Sequence, residues 1–188
     1  WTAPRYTDHL VPAHVQDICE NSCDPVHFAY VHSQMEIPES EVTIDPDGRT
    51  WRVVMDLGSG AIGPLQRYCD PARIDALLVS HGPPDHCADV PALDVLRRYG
   101  PSRDEDLPLI PLLGPAGLDR RIGDVSGDPD DRAAGTYDIR PLKHGDVASI
   151  GPLTITVARA LHPVPALAFL IAAGDTRLLY PGDTDRCA

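Results

Sequence analysis

Two imidazoles and a carboxylate fall within seven positions in Ser80-His81-Gly82-Pro83-Pro84-Asp85-His86. Asp and His are good ligands for zinc or iron, and ligands closely spaced on a proline-stiffened loop lose little entropy when an ion binds. Two later stretches offer further ligands: His162 in Val157-Ala-Arg-Ala-Leu-His162-Pro-Val-Pro, and Asp183 in Leu178-Leu-Tyr-Pro-Gly-Asp183-Thr. A second set stands near the beginning, where Asp24, His27 and His32 form Asp-x2-His-x4-His with Glu20 four residues ahead. In a helix Asp24 and His27 share a face, whereas His27 and His32 lie roughly 140° apart. Both histidines reach one ion only where the helix bends or ends between them. Two histidines and a carboxylate on one side of iron leave positions open for dioxygen and substrate. The plainer reading is that Cys19, Cys23 and His27 form one helical face whose thiols are buried apolar contacts. His9, His14 and His144 have no partner at ligand spacing and read as structural or solvent-facing.

The elements that must carry these residues are legible in outline. Ile74 to Val79 is an apolar run that reads as a buried strand feeding the His81–His86 turn, and a helix is expected from about Pro91 to Tyr99. Trp51 to Leu57 reads as a strand, with Gly58 and Gly60 permitting a tight exit at Asp56 into a helix around residues 63–68. Leu107 to Leu113 reads as a strand that its prolines confine to a sheet edge. Pro115 is expected in the first turn of a following helix. Gly123 to Gly135 reads as an acidic, glycine-rich loop. Tyr137–Leu142, Leu153–Ala158, Ala166–Ala172 and Arg177–Tyr180 are short apolar or alternating runs, with Gly174-Asp175 as a hairpin turn. Strands and helices in this order predict a layered α/β domain.

Composition narrows the function classes. A chain of 188 residues with 43% hydrophobic content buries a real core and most naturally makes one domain. Its formal net charge of -12 argues against a nucleic-acid partner, since phosphate binding needs Lys/Arg clusters, and points to a small-molecule substrate. No apolar run approaches the ~18 residues of a membrane span. The five cysteines are scattered, which suggests reduced thiols and a cytoplasmic setting. The chain opens on Trp1 with no signal-peptide pattern, and so reads as a fragment.

Ser-His-Gly-Pro-Pro-Asp-His resembles the His-x-His-x-Asp-His signature of the metallo-β-lactamase fold, with Pro83 where that family carries its second histidine. The resemblance spans about residues 50–188 and implies an αββα sandwich and zinc-dependent hydrolysis. It further implies a first metal on His81, His162 and Asp183, and a second on Asp85, His86 and Asp183, with Asp85 also orienting the nucleophile. The Tyr180-Pro-Gly-Asp-Thr stretch is similar to the phosphodiesterase and transfer-RNA-processing branch. Residues 1–50 resemble instead the catalytic domain of Rieske-type, ketosteroid-hydroxylase-like oxygenases. That resemblance implies iron on His27 and His32 and an electron-transfer bridge at Asp24. The expected organisation is therefore an N-terminal helical segment of an oxygenase-like module, 1–50, and a metallo-β-lactamase-like domain, 51–188, incomplete at both ends, with the junction between 40 and 55. Three functions follow: a hydrolase with one or two zinc ions in a weakened centre, a catalytically inert chimeric fragment, or an iron oxygenase fragment.

Overall fold

The computed structural model describes residues 50–127, 130, 133 and 135–185. The chain divides into two compact units, Trp1–Pro38 and Glu39–Ala188, and every described residue belongs to the second. The expected N-terminal helical segment, with Asp24, His27 and His32, lies outside the described residues.

Among the described residues eight strands form two sheets. In the first, β1 (Val53–Met55), β2 (Ala76–Leu78), β3 (Ile110–Pro115) and β4 (Tyr137–Leu142) lie side by side in that order, all parallel. Parallel neighbours require crossovers. These carry α1 (Ile62–Leu65) and a 3-10 turn at Pro71–Arg73, then α2 (Pro84–Cys87) and α3 (Val90–Tyr99), then α4 (Leu118–Ser126). The second sheet is an antiparallel meander of β5 (Val147–Ile150), β6 (Leu153–Arg159), β7 (Leu167–Ala173) and β8 (Thr176–Tyr180). Gly174 at φ 53° begins the two-residue turn from β7 to β8, as a Gly-first hairpin requires.

Side-chain alternation stacks the layers. On one face of the first sheet Leu77, Val79 and Leu112 pack with Val90, Leu93, Leu118 and Ile122 of the helices. On the other, Ala76, Leu78 and Leu113 pack with Ile155, Val157, Phe169 and Ile171 of the second sheet. Burial on both faces explains why β2 reads as an unbroken apolar run rather than an alternating one. In β6 every second residue, Leu153, Ile155 and Val157, turns inward. The result is a helix–sheet–sheet arrangement of α/β class. Among the described residues no helix is long and apolar enough to cross a membrane.

Three expectations are corrected. The proline-bearing strand is not an edge, because β3 lies between β2 and β4. Ile110 N–H donates to Thr136 O on the β4 side while Leu113 O accepts from Val79 N–H on the β2 side. Pro111 and Pro115 share the parity of Leu113, and the β2 register covers only Leu112 and Leu113. The missing N–H groups therefore fall where β2 offers no registered partner. Pro115 ends β3 instead of opening a helix, and α4 begins only after Gly117, whose φ of 87° makes the corner. The stretch read as a loop from Gly123 is helical through Ser126.

Phe169 is fully buried where the two sheets meet. Phe169→Ala should lower the unfolding free energy by about 3–5 kcal/mol in denaturant titration. A loss below about 1 kcal/mol would contradict a shared dry core.

Candidate metal centre

Three strand exits converge at the C-terminal edge of the first sheet. β2 ends at Leu78, and its continuation through Val79 and Ser80 delivers His81. Pro83, at φ -62° and ψ 155°, then caps α2, and its carbonyl accepts from His86 N–H at 3.0 Å. The proline thus shapes the turn that presents Asp85 and His86. After β6, Ala160 N–H donates to Ala166 O, and Leu167 N–H donates to Ser80 O at 2.9 Å, so the intervening loop carries His162 to the same place. After β8, Gly182 at φ 57° lets Asp183 come in beside Ser80, since a Cβ at 182 would sit 2.8 Å from Ser80 Cβ. Leu161 N–H donates to Thr184 Oγ1 at 3.1 Å, and Asp185 N–H donates to Leu161 O at 2.8 Å, tying the second and third exits together.

The residue that orders the site is Asp56, just past β1. It sits at φ 57°, a left-handed conformation that Asp tolerates better than most residues. Its Oδ1 accepts from Ser80 N–H at 2.6 Å. Its Oδ2 accepts from Ser80 Oγ at 2.7 Å and from Tyr180 Oη at 2.6 Å, and lies 2.8 Å from His86 Nδ1. An acceptor at that position assigns the His86 proton to Nδ1 and leaves the Nε2 lone pair free. The Ser80 hydroxyl spends its proton on Asp56, so the 2.9 Å contact with His81 Nδ1 assigns the His81 proton likewise. One carboxylate therefore sets both tautomers. Backbone contacts brace it: Leu57 N–H donates to His86 O, and Gly58 lies so close that an added Cβ would stand 1.7 Å from Asp85 O.

Both free nitrogens face Asp183, which is 5% exposed. His81 Nε2 is 3.6 Å from Asp183 Oδ2, and His86 Nε2 is 3.4 Å from Asp183 Oδ1. The ligand atoms of His81, His86 and Asp183 lie within 4.8 Å of one another. Around this triad the His162 ring packs edge-on 4.8 Å from that of His81, and exposed Asp85 places Oδ2 3.4 Å from His86 Nε2. The five residues singled out in the sequence thus stand together. Their grouping differs from the two half-sites expected, because the tightest set takes one histidine from each. His144 stands apart, with Nδ1 accepting from Arg159 N–H at 3.4 Å.

Electrostatics divides the two imidazoles. Burial pushes His81 below the usual histidine range; the neighbouring His86 and His162 add to this, while Asp183 and Asp56 act the other way. Burial likewise opposes charge on His86, yet the hydrogen bond and charge of Asp56, with Asp183 and Asp85, outweigh it and raise the pKa.

A cation fits this arrangement. His86 Nε2 is buried and has no hydrogen-bond partner. A lone pair held against two carboxylates is unfavourable unless positive charge lies between them, and the raised pKa of His86 records the same demand. Ligand atoms at ~2.0–2.1 Å from a tetrahedral zinc stand roughly 3.3–3.5 Å apart. The two His–Asp183 separations, 3.6 Å to Oδ2 and 3.4 Å to Oδ1, are near that spacing, while the three ligand atoms as a set lie within 4.8 Å of one another.

Residues 51–188 match the family described as the beta-lactamase superfamily domain. The chain belongs to the beta-lactamase superfamily. Residues 1–57 match a second family, the 3-ketosteroid 9alpha-hydroxylase C-terminal domain. Among relatives of the superfamily domain, the uncharacterized protein Rv1339 of Mycobacterium tuberculosis is 37% identical over 139 residues, covering 72% of this chain and 50% of its own. The probable metallo-hydrolase YhfI of Bacillus subtilis is 24% identical over 134 residues, covering 71% and 52%. The chain spans about half the length of the curated relatives it matches. The YhfI crystal structure, a metallo-beta-lactamase fold protein, superposes with a TM-score of 0.55 at 22% identity over 69% of this chain and 49% of its own. Human tRNase Z, short form, gives 0.53 at 17% identity over 70% and 57%. The fold is thus that of the metallo-β-lactamases.

Asp56, Ser80 and Tyr180 escaped the sequence reading as parts of the site. Only their positions could have signalled them: Ser80 abuts His81, and Tyr180 precedes Pro-Gly-Asp183. Asp56→Asn removes the charge and turns one of the two acceptor oxygens into a donor, so the four donors cannot all be met and metal binding should weaken about 10- to 100-fold with circular dichroism unchanged. Unaltered affinity in a competition assay would refute the tautomer argument.

Proposed function

We propose that the superfamily domain is a metal-dependent hydrolase holding one zinc ion on His81, His86 and Asp183, with His162 and Asp85 beside it. The observation that carries this is the buried, unpartnered Nε2 of His86 turned toward Asp183. Two imidazole nitrogens and a carboxylate oxygen are a donor set that suits zinc, and three protein ligands leave an open position for substrate. Zinc bound there would lower the pKa of a water and polarise a carbonyl or phosphoryl oxygen. The protein's own contributions are positional. Asp56 and Ser80 hold the imidazoles in one tautomer. Asp85, 65% exposed at the rim, is placed to orient an incoming water and take up its proton. His162 closes the side next to His81.

Pro83 supports the single-ion reading, since it withholds the imidazole that a separate first-metal site would need. A small-molecule substrate remains the proposal. The acidic charge does not remove nucleic acid from consideration, because tRNase Z has the same fold. The module junction is proposed at 51–57, where the two family matches overlap. Free thiols at Cys69 and Cys87 accord with a reducing, cytoplasmic setting. Iron on His27 and His32 would rest on the match of residues 1–57 alone, and no iron chemistry is proposed.

Zinc titration followed by metal analysis should find one ion per chain, lost in His86→Ala and Asp183→Asn. No stoichiometric zinc, or two ions, would refute the proposal. Pro83→His should tighten zinc binding about tenfold or more, since a direct ligand exceeds the outer contacts worth about 10- to 100-fold. The loop-entropy change of roughly 1 kcal/mol is the smaller effect. An unchanged dissociation constant would mean that position 83 does not face the ion.

A further inference from the structure

Beside the metal loop lies a pocket of about 400 Å³. Its walls are apolar: Pro83 from the loop, Ala116 and Leu118 from the corner between β3 and α4, and Val164 and Pro165 just beyond His162. One charged side chain lines it, Arg121 of α4. Arg121 Nε donates to Gly82 O at 2.8 Å, and the guanidinium also meets the Cys87 thiol. A guanidinium carries five N–H donors, so these contacts leave most of its terminal edge uncommitted. Arg73, Arg98, Arg103 and Arg140 each pair with a carboxylate. Among the described residues Arg121 pairs with none. Arg97, more deeply buried, also lacks a carboxylate partner, but it spends its terminal N–H groups on the Thr136 and Pro108 carbonyls.

We infer that this pocket is a substrate subsite for an oxyanion, phosphate or carboxylate, borne on a small apolar group, with Arg121 as the binding residue. The guanidinium fork matches either anion bidentately. Apolar walls suit the attached ring or chain, and by excluding water they strengthen the charge pairing. Because Gly82 and Pro83 belong to both pocket and metal loop, an anion seated on Arg121 holds the adjoining bond of the same molecule against the centre. The catalytic use of the subsite rests on the hydrolase reading; the binding does not.

The two are separated by working without metal. With a chelator present, calorimetry should detect binding of phenyl phosphate and benzoate but not of neutral benzyl alcohol. Arg121→Gln should weaken both anions about 10- to 100-fold, the scale of charge-assisted hydrogen bonds. Val164→Glu places a negative charge on an exposed wall residue and should abolish both. It decides the matter if Arg121→Gln fails to fold. Binding of phenyl phosphate alone would support the subsite and restrict it to phosphates. No binding by the unaltered protein, equal binding of benzyl alcohol, or anion binding indifferent to both substitutions would overturn the inference. Anion binding without stoichiometric zinc would refute the hydrolase reading and leave the subsite standing.

Discussion

The centre depends on one buried interaction, the Asp56 carboxylate taking hydrogen bonds from the chain segments that build the site. It joins the end of β1 to Ser80 past β2, to His86 on α2 and to Tyr180 at the end of β8. Without that acceptor, the Ser80 hydroxyl, the Tyr180 hydroxyl and the His86 ring would each need another partner in a region with few. An unmet buried polar group costs about 1–3 kcal/mol, so these bonds favour one arrangement strongly. The left-handed backbone at Asp56 and the close passage at Gly58 and Gly182 are conformational costs borne to bring four elements to one point.

Once Asp56 has taken its donors, the neutral forms of the two histidines are held to one tautomer each. Their Nε2 atoms turn toward Asp183, and the site gathers more unprotonated donor atoms than a protein interior tolerates by itself. That imbalance is the physical signature of a cation site, and it arises among outer residues that never touch the ion. Pro83 shifts the balance further. It stiffens the turn before α2 but offers no ligand, and the tightest cluster there is His81, His86 and Asp183.

Much of this was legible in the sequence, for reasons that differ by residue. His81, Asp85, His86, His162 and Asp183 were singled out by their resemblance to the motifs of one family, and His81, His162 and Asp183 stand just past apolar runs whose strand ends gather on one edge of a layered sheet. The alternation in Leu153–Arg159 and the turn at Gly174-Asp175 announced the meander. What escaped was set by tertiary geometry. Pro111 misled because whether a missing N–H matters depends on which neighbour it faces, and register is not local information. Pro115 misled because it satisfies a strand end as readily as a helix start. Asp56 and Tyr180 are 124 positions apart, and neither residue type at its own position implies the other. Arg121 became informative only when the carboxylates around it could be inspected.

The most direct test of the account is zinc absorption spectroscopy on protein loaded with one equivalent of the metal. The account predicts nitrogen and oxygen neighbours at ~2.0–2.1 Å with imidazole scattering from two histidines and no second metal. A metal–metal vector at roughly 3.5–4 Å, or sulfur at ~2.3 Å, would contradict it.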